Sequence, residues 1–125
     1  MKHLHQLTKE QFLNKIYNFQ KHPNEFIYIG TTPSMVILSS TKNRFCIELE
    51  PALEIMAKRH KTHYDIYFID LESEPEIADA LNTQRAPVFY LCPVQKAPII
   101  IHNTINIRDI ARQADKILAA LYKKE

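Results

Sequence analysis

Short apolar runs that alternate with stretches of helical periodicity are what most narrow the folds open to this sequence. Met35-Val36-Ile37-Leu38, Tyr64-Asp65-Ile66-Tyr67-Phe68-Ile69-Asp70, Val88-Phe89-Tyr90-Leu91-Cys92 and the run from Pro98 to His102 read as strands, being short and rich in β-branched and aromatic residues. Thr8-Lys9-Glu10-Gln11 has the form of a capping box, and Phe12, Ile16 and Phe19 follow at helical spacing. A first helix is therefore predicted over residues 9–20, stopped by His22-Pro23-Asn24, with a short strand or extended lead-in at 26–30. A long helix should run from Asn43 to about His60, with Cys46, Leu49, Leu53, Met56 and Ala57 on one face and a kink at Pro51. Glu74-Pro75-Glu76 opens a short helix that Asn82 ends. The last two strands are joined through Val94-Gln95-Lys96-Ala97 as a hairpin, and Asn106 caps a final helix bearing Ile110, Ala114, Ile117, Leu118 and Leu121. Strands and helices in this order predict an α/β domain, a mixed central sheet flanked by helices on both faces.

A chain of 125 residues with 46% hydrophobic content suits one domain, residues 1–125, around one core. The net charge is +2 and the signs are mixed, which gives no electrostatic footprint for nucleic acid. Lys58-Arg59-His60-Lys61 reads as a cationic helix C-terminus, favoured by the dipole, rather than as a phosphate patch. No run approaches the roughly 18 apolar residues of a membrane span, and the first six residues lack the core of a secretory signal. A soluble cytoplasmic protein is the default expectation, and an exported, periplasmic one the alternative if a signal peptide has been removed. The single glycine is Gly30, so left-handed backbone should fall to residues such as Asn82 and Asn103. Of six histidines, His3 and His5 sit in what reads as a mobile terminus and His60 and His63 at a helix end. None has a cysteine or acid at metal-ligand spacing, and no phosphate-binding glycine loop, nucleophile elbow or HExxH occurs, so no metal and no cofactor is expected.

One segment carries more. The strand at 35–38 leads through Ser39-Ser40-Thr41-Lys42 into Asn43-Arg44-Phe45-Cys46, and Pro51 follows Cys46 by five positions. Ala86-Pro87 then heads another buried strand, 41 positions after the cysteine. A strand, a helix opening on a Cys, a proline one turn later and an X-Pro before a second strand resemble the thioredoxin family. Asn18-Phe19 and Pro23-Asn24-Glu25-Phe26 are similar to the lead-in of one branch of bacterial thioredoxins. The resemblance spans roughly residues 16–121 and implies a thioredoxin fold and an ancestry in disulfide exchange and cell redox homeostasis.

The resemblance also implies a degenerate site. Disulfide exchange needs one thiol to attack and another to resolve the mixed disulfide. Cys46 stands in the place of the resolver, but Asn43 stands in the place of the attacking cysteine. Asparagine is no nucleophile, although it is among the best helix N-caps. Lys42 replaces the family's tryptophan, Arg44 and Phe45 replace its central Gly-Pro, and Ile37 falls where the family buries an acid that moves protons for the resolving thiol. Ala86 and Pro87, expected to be joined by a cis bond, correspond to the place where the family presents backbone to an extended partner peptide. Cys92 would then lie about 16 Å from Pro87 along its strand, out of bonding reach of Cys46, so two free thiols are expected.

Two functions follow as expectations. The first is a protein or peptide-binding module that has lost exchange, its groove lined by Arg44, Phe45, Ala86 and Pro87. The second is a redox protein of reduced scope that uses Cys46 as a single thiol, which would need the sulfur exposed near Arg44 or Lys42. Small-molecule binding, or assembly through apolar surface such as Phe45, is a further alternative.

Overall fold

The computed structural model describes residues 4–59, 64–83, 86–94, 96–101, 112 and 116, with the backbone alone of Phe45. In chain order the elements are β1 (His5–Gln6), α1 (Lys9–Lys15), β2 (Ser34–Ser39), α2 (Arg44–Arg59), β3 (Asp65–Asp70), α3 (Pro75–Ala80), β4 (Val88–Cys92) and β5 (Ile99–Ile101). The sheet runs β1-β3-β2-β4-β5; β3 is parallel to β1 and β2, while β4 is antiparallel to β2 and β5.

Side chains along β2 point alternately to the two faces, and each face meets helices. Met35 and Ile37 join Leu49, Leu53, Met56 and Ala57 of α2 in one core. Val36 and Leu38 join Phe12 of α1 and Ile77 of α3 in the other. Helices thus cover both faces of a mixed sheet, as the alternation of elements predicts. The N-terminus of α1 is docked on α3, the Lys9 N–H donating to Glu74 Oε1 at 3.1 Å and Lys9 Nζ meeting Glu76 at 2.9 Å.

Two local readings are corrected, at His5 and at the end of the first helix, and one with two alternatives is decided. His5 does not belong to a mobile terminus: β1 pairs with Tyr67 and Phe68 of β3, Leu4 beside it is buried, and the Leu4 N–H donates to Glu54 Oε1 at 2.9 Å. Two polar residues carry no hydrophobic alternation, so periodicity could not reveal this strand. Segment 26–30 is the extended lead-in rather than a strand, since β2 and β3 already have both edges filled; the Ile29 N–H donates instead to the Ile16 carbonyl at 2.9 Å. The first helix ends at Lys15 instead of reaching residue 20. Asn18 Oδ1 accepts the N–H groups of Gln20 and Lys21, offering the backbone a turn in place of a helix. Tyr17 meanwhile stacks on Phe26 at 4.5 Å between ring centroids, and Phe26 on Tyr90 at 5.6 Å.

Other readings hold. The capping box at Thr8 and Gln11 is formed in both directions, Pro51 lies inside α2, and Asn82 takes the left-handed conformation at φ 51°. Gly30 serves close approach rather than positive φ: a Cβ there would collide with the Tyr28 hydroxyl and ring. Of the helix expected after Asn106, Arg112 and Lys116 are helical, while Asn106, Ile110, Ala114, Ile117, Leu118 and Leu121 fall outside the described residues, as do Asn103, His3, His60 and His63.

Candidate functional site

The loop between β2 and α2 is held to the loop after β3 by a set of short polar contacts. Leu71 N–H donates to the Ser39 carbonyl at 2.8 Å, which prolongs the parallel ladder past the strands. Asp70, buried at the end of β3, accepts the Thr41 N–H at 3.3 Å and the Glu72 N–H at 3.1 Å on Oδ1, and the Ser73 hydroxyl at 2.8 Å on Oδ2. A carboxylate out of water needs such donors. Ser40 donates to Glu72 at 2.7 Å, and Lys42 Nζ lies 3.6 Å from the same carboxylate. In the sequence Asp70 reads only as the end of a strand; the signal for more is an acid following Ile66-Tyr67-Phe68-Ile69 directly.

This clamp fixes where Asn43 stands. Its backbone carbonyl accepts the Ile47 N–H at 3.2 Å and its Oδ1 accepts the Cys46 N–H at 3.2 Å, so Asn43 caps α2. Its Nδ2 donates to the carbonyl of Ala86 at 3.1 Å. The two side-chain bonds fix the sense of the carboxamide, because turning it over would set donor against donor and acceptor against acceptor. Ala86 is joined to Pro87 by a cis bond. Asn43 and Ala86 therefore meet across the ends of two elements, and with Ser40, Lys42, Glu72 and Asp79 they help line an open cleft of about 650 Å³.

Cys46, one turn into α2, is 3% exposed. Burial pushes its thiol up from the ordinary cysteine range and the charge of Glu50 acts the same way, while a hydrogen bond with the Ser40 backbone opposes them. Cys92 is buried in the core it shares with Phe12 of α1 and Ile77 of α3, and is pushed up to about 12 by burial. It pairs with Ser34 at the start of β2, whereas α2 follows the other end of that strand; both cysteines are free thiols.

The remaining residues of the segment divide by exposure. Ile37 is fully buried, opposite Phe68 on one side and Phe89 on the other, in the core that holds Leu49 and Leu53. Lys42 and Arg44 project into solvent, Arg44 Nε paired with Glu48 at 3.2 Å one turn on. The side chain of Phe45 lies outside the described residues. Among the described residues no group of three His, Cys, Asp or Glu could hold a metal ion, and no helix is long and apolar enough to cross a membrane.

No family model matches the chain. It is 27% identical over 92 residues to a thioredoxin of Borreliella burgdorferi, an overlap of 74% of this chain and 78% of that protein. Among solved structures it is similar to the crystal structure of the Trx4 domain of ERdj5, with a TM-score of 0.69 at 17% identity over 94% of this chain and 97% of that one.

Proposed function

We propose that this chain, thioredoxin-like in both sequence and fold, keeps the scaffold of a disulfide oxidoreductase without its dithiol exchange and binds an extended peptide at Ala86 and Pro87. The observation that carries the reading is the bonding of Asn43. Where exchange needs a thiolate at a helix N-terminus, a carboxamide caps the helix and bonds across to Ala86. The sulfur beside it cannot substitute, being buried and shifted toward its neutral form. Ile37, in a hydrocarbon environment, offers no proton acceptor.

Support for peptide binding comes from the backbone. The β2–β4 ladder ends where Leu38 faces Val88, so the polar groups of Ala86 stand outside it, beside an open cleft. An extended chain satisfies such groups by strand-like hydrogen bonding. The single-thiol alternative, with Cys46 forming mixed disulfides, has against it the burial that raises the thiol.

Insulin reduction driven by dithiothreitol tests the loss of exchange. The native protein should give no rate above the reductant alone, and Asn43→Cys should recover little, because Ile37 and Lys42 also depart from the family pattern. Turnover by the native protein would overturn the reading.

A further inference from the structure

We infer that the Asn43 carboxamide is a gate on the peptide site, occupying the Ala86 carbonyl until a peptide N–H takes its place; this rests on the peptide-binding reading above. Ala86 has one backbone group engaged and one not. Its carbonyl accepts Asn43 Nδ2 at 3.1 Å, while its N–H has no hydrogen-bond partner among the described residues. Ala86 lies two residues ahead of β4, past the last β2–β4 pair at Leu38 and Val88 and beside a cleft of about 650 Å³, so its backbone groups stand where another chain can add to the β2 side of β4.

The donor that fills the carbonyl is chemically a peptide donor. A side-chain carboxamide N–H and a backbone N–H are matched in polarity and geometry, so exchanging one for the other keeps the Ala86 carbonyl satisfied throughout. Displacement also leaves the helix cap intact. The bond from Cys46 N–H to Oδ1 is separate from the one Nδ2 makes, and Asn43 lines the open cleft, whose water can satisfy the freed Nδ2. The consequence is a site whose affinity is set against an internal competitor. With a net worth of about 0.5–1.5 kcal/mol for one hydrogen bond, removing the competitor should tighten binding by about 2- to 10-fold.

Two substitutions remove the donor while sparing the cap. Asn43→Asp keeps an acceptor for Cys46 N–H at a helix end that favours negative charge, but offers the Ala86 carbonyl no donor. Asn43→Gly removes the side chain at a small cost to the cap and adds no charge. The probe is reduced, carbamidomethylated ribonuclease, a permanently unfolded polypeptide, carrying a fluorescent label and followed by anisotropy at fixed ionic strength. Both variants should bind it about 2- to 10-fold more tightly than the native protein. Added to native protein, the probe should shift the Asn43 side-chain amide resonances away from their hydrogen-bonded positions. Equal or weaker binding by the variants, tightening confined to Asn43→Asp, or amide resonances unmoved at saturation would overturn the gate and leave the peptide-binding reading standing. Absence of binding by all three proteins would overturn that reading and the gate with it.

Discussion

Asn43 and Cys46, three residues apart at the head of α2, share a hydrogen bond in which Oδ1 of the asparagine accepts the Cys46 N–H at 3.2 Å. The asparagine side chain is thus bonded to the backbone of the buried cysteine. The same side chain reaches Ala86 at 3.1 Å. Removing it should cost stability twice over. Asn43→Ala should lower the unfolding free energy by about 1–2 kcal/mol, read as a shift of the urea midpoint at constant slope, and Asn43→Asp by less than about 1 kcal/mol because the cap survives. Equal losses from both would mean that the cap contributes little.

Asp70 should matter more than its place in the sequence suggests. Asp70→Ala leaves the N–H groups of Thr41 and Glu72 and the Ser73 hydroxyl without their acceptor. A loss of about 2–4 kcal/mol is expected by urea unfolding. Amide exchange should quicken at Thr41, Lys42 and Asn43 before it does in β2; unchanged exchange there would show that the loop does not depend on the carboxylate.

Gly30 is expected to resist substitution because of Tyr28. The Tyr28 hydroxyl donates to the Thr32 carbonyl, and its ring lies over the glycine, so Gly30→Ala must move a buried ring. The cost should be about 1–3 kcal/mol. In a Tyr28→Ala background the same change should cost under half as much, a coupling that a double-mutant cycle measures directly.

Above neutral pH the fold should weaken in a defined window. Cys92 is pushed up to about 12 by burial, whereas an unfolded cysteine titrates near about 8.5. A raised folded value means that the native state holds the proton more tightly. Its stabilising contribution is therefore complete below about pH 8.5 and is lost as pH climbs toward about 12. Tyr28, also raised to about 12, acts in the same sense from about pH 10 upward. Cys92→Ala should be less stable at pH 7 but decline less steeply between about pH 8.5 and 10 in urea unfolding; parallel curves would contradict the assignment.

The legible part of this molecule was whatever carries a period or a cap. Strands β2 and β4 are buried runs, β3 is a half-buried apolar one and α2 has an apolar face, so their existence and order follow from the sequence, as do the capping box at Thr8 and the left-handed Asn82. What was not legible depends on partners distant in the chain. His5 and Gln6 become a strand because β3 has a free edge, and α1 stops early because Asn18 and Tyr17 find other bonds and rings. At the site, Asn43 could be read as a cap, but its second bond, to Ala86, joins residues 43 positions apart and leaves no local signature.

The central claim is that the site holds no sulfur able to start a disulfide exchange. Oxidised glutathione tests it in one step: attack by a Cys46 thiolate would join its sulfur to one glutathione, release the other as a thiolate, and add one glutathione to the intact mass. At pH 7.5 the reduced native protein should gain no adduct at Cys46 while an exposed reference thiol is fully modified, and Asn43→Cys should gain one at position 43. Rapid, stoichiometric glutathione on Cys46 of the native protein would contradict the account.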